Sequence, residues 1–216
     1  MSATPRILAF DTSGPHCAAA VLIGDRIVAS RCEEMGRGQA ERLFPMLEEV
    51  LGEAGIAWKD LDAIGVGTGP GNFTGIRIAV SAARGLALSL EIPAVGVSLF
   101  DALACGASGP LLLVLPAPRG QVYISGRGGV PPDGIELTAR DRLPPVPKDT
   151  VVIGESAQAI AEQLGVLSAP ALHAPAHAIA LIAGERWQEP TTRPSPLYVR
   201  PADAAPSADP PPVILP

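Results

Sequence analysis

Residues Ile7 to Phe10 are all apolar, and the run stops at Asp11 and a turn signal, Thr12-Ser13-Gly14. A short run bounded in this way predicts a buried strand. Cys17–Ile23 and Ile27–Cys32 are two further apolar runs joined near Gly24-Asp25, a hairpin signal. With a two-residue loop, Ile23 faces Arg26 and, counting outward, Cys17 faces Cys32 as a hydrogen-bonded pair. That position disfavours a cross-strand disulfide, so two free thiols are expected. From Gln39 to Ala54 the apolar period lengthens to that of a helix, with Leu43, Leu47, Val50, Leu51 and Ala54 on one face. Gly55 supplies its stop, and Pro45 inside it is expected to kink or delay it. Ala63–Gly67 predicts a strand and Gly67-Thr-Gly-Pro-Gly-Asn-Phe-Thr-Gly75 a glycine-rich loop, followed by a helix to about Leu90. A strand at Ala94–Val97 and a helix at Leu99–Cys105 come next.

The second half repeats this pattern more weakly. Leu111–Leu115, Gln121–Gly126 and Thr150–Ile153 predict strands; Ser156–Leu164 and Ala176–Trp187 predict helices. Strands interleaved with helices around an early hairpin indicate an α/β fold with mixed sheets covered on both faces. The expected division is residues 1–107, a smaller unit at 108–200, and a proline-rich tail at 201–216 that is extended or loosely held.

The 216 residues suffice for a real core, and at 47% hydrophobic residues the chain is not disordered overall. Its formal net charge of −6 argues against a chain that grips nucleic acid unaided, because phosphate binding needs a basic face. The start, Met1 to Arg6, leads into an apolar run too short for a signal peptide. The most apolar helix carries Arg77 and Arg84. The cysteines, Cys17, Cys32 and Cys105, are odd in number and lack metal spacing, as expected in a reducing cytoplasm.

Two segments offer chemistry. The loop glycines Gly67, Gly69, Gly71 and Gly75 lead into a helix whose free amides and dipole can hold an anion. The order fits neither a Walker A motif nor a dinucleotide fingerprint, and a tight strand-to-helix turn is the plainer alternative. Asp11-Thr12-Ser13, at a strand end, suits a metal-bound phosphate or a side-chain-bonded turn. Asp11, Thr12, Ser13, Gly69, Gly71, Asn72 and Thr74 are therefore candidates for vestigial phosphate loops. His173 and His177 have the spacing of two ligands on a helix face, but Pro175 between them separates the pair, so no metal site is expected. His16 is expected to be exposed.

The helix after the loop is apolar on more than one face. Ile78, Ala82, Gly85 and Ser89 make a small, flat stripe that suits close helix approach. With Leu43, Leu47 and Arg77 they form the expected partner interface; burial of the stripe under the chain's own first helix is the alternative.

Ile7-Leu-Ala-Phe-Asp-Thr-Ser13, Glu41-Arg-Leu-Phe-Pro-Met46, Gly69-Pro-Gly-Asn-Phe-Thr-Gly-Ile-Arg77, Gly96-Val-Ser-Leu99 and Pro196-Leu-Tyr-Val-Arg200, in this order, resemble the successive signatures of the TsaB (YeaZ) family. The match runs over roughly residues 7 to 200. The resemblance implies an actin-like ATPase fold of two related, ribonuclease-H-like halves. It implies a non-catalytic partner of TsaD which, with the ATPase TsaE, serves threonylcarbamoyl transfer to adenosine 37 of transfer RNA. It implies no cofactor of the chain's own, with ATP or ADP only at the level of the complex, a homodimer when alone, and contact with transfer RNA only through partners. TsaD holds a metal through two histidines on its first long helix. The matching stretch here, Gly38-Gln39-Ala40-Glu41, has none. Where many members carry Asp-Ala-Arg-Arg-Gly-Glu-Val-Tyr, this chain has Pro116-Ala-Pro-Arg-Gly-Gln-Val-Tyr123, keeping Arg119 and Tyr123 but losing an acid, a base and a Glu.

Two other readings compete. A small-molecule kinase or ATPase draws on Asp11 and the glycine loop and is opposed by the missing cleft residues. Proteolysis has only the old glycoprotease-like label of the family behind it.

Overall fold

The computed structural model describes residues 4–190 and 192–199. Its first half runs β1 (Arg6–Asp11), β2 (His16–Ile23), β3 (Arg26–Glu34), α1 (Gln39–Ala54), β4 (Ala63–Gly67), α2 (Phe73–Leu90), β5 (Ala94–Val97) and α3 (Leu99–Ala104). The second runs β6 (Leu111–Pro116), β7 (Gln121–Arg127), β8 (Ile135–Ala139), β9 (Val151–Gly154), α4 (Ala157–Leu164), β10 (Leu167–Ala169) and α5 (Pro175–Arg186). Each half forms one five-stranded sheet, ordered β3-β2-β1-β4-β5 and β10-β9-β6-β7-β8. In both, the first three strands form an antiparallel meander and the last two lie parallel to the first. The halves are therefore repeats of one topology. The second has no helix between β8 and β9 to match α1, which accounts for its smaller size.

Alternation along β1 explains the layering. Leu8 and Phe10 face α1 and α2, whereas Ile7 and Ala9 face α5 on the opposite side. A strand buried on both faces reads as the continuous apolar run seen in the sequence. The closing helices are exchanged between halves. Leu99 and Phe100 of α3 pack with Leu111, Leu113 and Tyr123 of the second sheet, while Ala178, Ile179 and Ala183 of α5 pack on the first. Each half thus buries a helix of the other, and a cut at residue 107 would expose both contacts.

Two expectations change. The hairpin turns at Gly24-Asp25, but a bulge at Val28 shifts the register, so that Leu22 pairs with Ile27 and Val21 with Ala29. Cys17 consequently faces Glu33, and Ala18 faces Cys32, in place of the expected Cys17–Cys32 pair; the thiols are free. Pro45 neither ends nor delays α1, which starts at Gln39 and runs to Ala54. Its ring lies on the exposed side, where the missing backbone bond costs least. Gly55 closes the helix in the left-handed conformation. The tail expectation for 201–216 lies outside the described residues.

Candidate functional site

The end of β1 and the glycine loop between β4 and α2 meet backbone to backbone. Thr12 Oγ1 donates to Gly75 O at 2.7 Å, and Asn72 N donates to Ser13 O at 2.7 Å. Asn72 Oδ1 caps α2 by accepting from Gly75 N at 2.9 Å. A Cβ at Gly75 would overlap the Thr12 carbonyl oxygen and sit 3.0 Å from its carbon; one at Gly71 would overlap the Ser13 carbonyl oxygen. A Cβ at Gly67 would run into the Asp11 carboxylate. The glycines are thus needed for close packing of this chain against itself, which is the plainer of the two sequence readings. The same contacts occupy amides at the start of α2 that would otherwise face an anion. Gly69 is buried with a positive φ and accepts from Leu99 N at 2.8 Å; Thr74 is exposed.

Asp11 is fully buried. Its Oδ2 accepts from Ser13 Oγ at 2.8 Å and is 2.8 Å from His16 Nε2. His16, expected to be exposed, is instead half-buried and held on this carboxylate. Two-residue spacing brings Ser13 back to Asp11, and the start of β2 swings His16 over it. Oδ1 has no hydrogen-bond partner among the described residues. Among those residues no three His, Cys, Asp or Glu side chains converge as a metal site. His177 has its pKa lowered by burial and then by nearby His173. Arg119 is exposed, and Tyr123 is buried in the second core.

The helical face is split. Leu43 and Leu47, expected at the partner interface, are fully buried against the first sheet, because the α1 stripe they share is its core face. Ile78 and Ala82 are half-buried against the same core. Gly85 and Ser89 are exposed, and a Cβ at Gly85 would meet nothing within 4 Å. Phe44 on α1 and Leu88 on α2 are 45% and 78% exposed, large apolar groups that the sequence reading passed over. Length and mean hydropathy alone would suit α2 to a membrane, but Ile76, Ala79, Val80 and Ala83 bury one side in the core.

Residues 192–199 form a strap along the other side of α2. Arg84 Nε donates to Pro194 O at 2.7 Å, Arg77 Nε to Tyr198 Oη at 2.8 Å, and Leu197 N to Thr68 O at 2.8 Å. Phe73 stacks on Tyr198 with centroids 5.2 Å apart, and the Arg77 guanidinium lies 3.8 Å over the Phe73 ring. The strap borders α2 without covering its small-residue stripe. Tyr198 belongs to the closing Pro-Leu-Tyr-Val-Arg motif, which was the one sequence signal for this contact.

Comparison with known proteins places these features. The family model described as TsaD, tRNA N6-adenosine threonylcarbamoyltransferase, matches residues 31–141. The tRNA threonylcarbamoyladenosine biosynthesis protein TsaB of Escherichia coli is 38% identical over 123 residues, 55% of this chain and 53% of that protein. The chain spans about half the length of such curated relatives, 53% and 58% of the Escherichia coli and Buchnera aphidicola proteins. An uncharacterized protein of Mycobacterium bovis is 32% identical over 210 residues, covering 94% of this chain and 95% of its own. The crystal structure of a Pseudomonas aeruginosa protein with similarity to peptidase YeaZ aligns with a TM-score of 0.76 at 27% identity, over 91% of this chain and 100% of that one. A dehydratase component from Acidaminococcus fermentans shares the fold alone, with a TM-score of 0.54 at 14% identity. The two repeated halves are those of the actin-like ATPase fold, and the chain belongs to the TsaB (YeaZ) family of TsaD-related proteins.

Proposed function

We propose that this chain is a non-catalytic subunit in the formation of threonylcarbamoyladenosine in transfer RNA, docking a TsaD-type catalytic subunit through the outer face of α1 and α2. The observation that carries the reading is the state of the would-be phosphate site. Gly71 and Gly75 lie against the Ser13 and Thr12 carbonyls, and His16 sits on Asp11. The position matching the metal-binding histidines of TsaD has Gln39, Ala40 and Glu41. The acidic composition leaves transfer RNA to a partner. In this reading the chain holds no cofactor itself, works in the cytoplasm, dimerises when alone, and joins TsaD-type and TsaE-type subunits in the complex. Co-purification with those subunits, followed by a modification assay that omits this chain, tests it. Product is expected only when the chain is present; equal product without it would overturn the role.

A kinase or ATPase reading keeps one observation in its favour, the buried Asp11 with an unpartnered oxygen. Calorimetry with ATP and magnesium on the isolated chain decides against it if no heat of binding is seen.

A further inference from the structure

The two sheets differ at one edge. β5 closes the first sheet, and β10 closes the second at the matching position of the repeat. The strap borders the first of these: Pro194 is buried, and a Cβ at Gly96 of β5 would lie 3.3 Å from the Pro194 Cβ. β10 pairs with β9 on one side, from Leu167 on Val151 to Ala169 on Ile153. Among the described residues no strand takes its other side. A bare edge presents unpaired N–H and C=O groups, and folded proteins rarely leave one open. The apolar groups beside it are open as well. Ala169 packs on the α3 side of the sheet, so alternation puts Leu167 on that side too, where it is 73% exposed. Leu172 is 62% exposed, and its Cδ1 lies 3.2 Å from the Cβ position of Gly106, just past α3.

The sequence supplies one segment suited to this edge. Residues 200–216 follow Val199, which packs on the core of the second half, as Ala169 and Ala171 do. In that stretch Val213-Ile214-Leu215 is the one run of large apolar residues. Val213 and Ile214 are β-branched and suit a strand. Prolines bracket the run, Pro210-Pro-Pro212 before it and Pro216 after it, and proline cannot donate to a ladder. Pairing is thereby confined to a three-residue run, the length of β10. The reach suffices. Residues 200–212 extend about 40 Å at about 3.1 Å each, against a width of about 20 Å for a five-stranded sheet.

We infer that Val213, Ile214 and Leu215 add a sixth strand to the second sheet, along the free edge of β10 of the same chain. Val213 and Leu215 share a face and cover Leu167 and Leu172, while Ile214 turns to the opposite face, where α4 packs on β10. Consecutive stretches of chain then close the two equivalent edges, the strap on β5 and residues 213–215 on β10. The added strand anchors the strap from its far end and withholds β10 from pairing with other chains. The inference concerns the second half alone and stands apart from the docking role of α1 and α2.

Amide hydrogen exchange of the whole chain, read residue by residue by NMR, tests the added strand. The amides of Val213, Ile214 and Leu215 should exchange at least about tenfold more slowly than in a free peptide of residues 209–216. The slowing should not depend on protein concentration. Ile214→Pro removes the middle donor and should bring Val213 and Leu215 to the free-peptide rate. Leu167→Asp, on the other side of the contact, should cut the protection at 213–215 at least about tenfold, because a carboxylate then lies under apolar side chains. Leu167 is exposed, so this variant is expected to melt cooperatively like the native chain. Should it not fold, Leu172→Asp, at the second exposed leucine, gives the same reading. Free-peptide rates at 213–215 in the native chain overturn the inference. Protection unmoved by the aspartate variants also overturns it, by placing the segment elsewhere. Protection that grows with concentration overturns it too, since the strand would then come from a second copy.

Discussion

Two glycines ten residues apart on one helix should respond to the same substitution with opposite signs. At Gly75 a methyl group has no room, because the Thr12 carbonyl lies against the helix there. Accommodating it forces the β1 turn and α2 apart, an overpacking cost of about 1–3 kcal/mol. The same movement strains the buried bond from Thr12 Oγ1 to Gly75 O, and its loss costs about 1–3 kcal/mol more. The better helix propensity of alanine returns at most about 1 kcal/mol. Gly75→Ala is therefore expected to lose about 3 kcal/mol, or about 6–12 °C in Tm for a chain of this size. At Gly85 a methyl group meets nothing within 4 Å, so only the propensity gain remains, about 0.5–1 kcal/mol of added stability. Urea unfolding at a concentration that keeps the chain monomeric gives both values, read as midpoint shifts at constant slope. A neutral Gly75→Ala would refute the claim that the loop glycines serve self-packing. A destabilised Gly85→Ala would refute the claim that this side of α2 faces open space.

Other regions yield further expectations. Burial pushes the Cys17 thiol up to about 11, so an aromatic disulfide reagent should label exposed Cys32 promptly and Cys17 only on unfolding; equal rates would contradict its burial. Hydrogen bonds from Arg42 hold Glu33 and Glu49 below their ordinary value of 4.5. Their contribution is present above that pH and falls away as acid protonates them, so Arg42→Met should flatten the acid limb of the stability curve; an unchanged limb would remove the network from the account. Tyr198→Ala removes the ring stacked on Phe73 and the acceptor for Arg77, and should speed proteolysis near the strap. Tyr198→Phe should keep the stack and lie between the two; native-like protection in the alanine variant would show the strap is held elsewhere.

Much of the first half was legible because its elements are long and strongly patterned. Ala63–Gly67, Ala94–Val97 and the course of α1 and α2 follow directly from apolar period and glycine stops. The second half was harder. β10 is three residues, Leu-Ser-Ala, too short to carry a period, and β8, Ile-Glu-Leu-Thr-Ala, alternates strictly, a strand signal that the sequence expectations leave out. The hairpin register is not legible in the sequence because a bulge at Val28 leaves no mark in the apolar pattern. The core position of Leu43 and Leu47 is not legible either, because the apolar stripe of an amphipathic helix does not say whether sheet or partner covers it. The match of His16 to Asp11 depends on how β2 leaves the turn, which is a tertiary fact. The exchange of α3 and α5 between halves likewise depends on contacts far apart in the chain.

The most direct test of the docking account is the affinity of this chain for a TsaD-type subunit before and after one bulky change on the open stripe. Gly85→Trp places a large ring where the native surface has none, away from the core face of α2. Calorimetric titration should show tight binding by the native chain and at least a hundredfold weaker binding by the variant, with both melting cooperatively. Equal affinities would mean that the α1–α2 face is not where the partner sits.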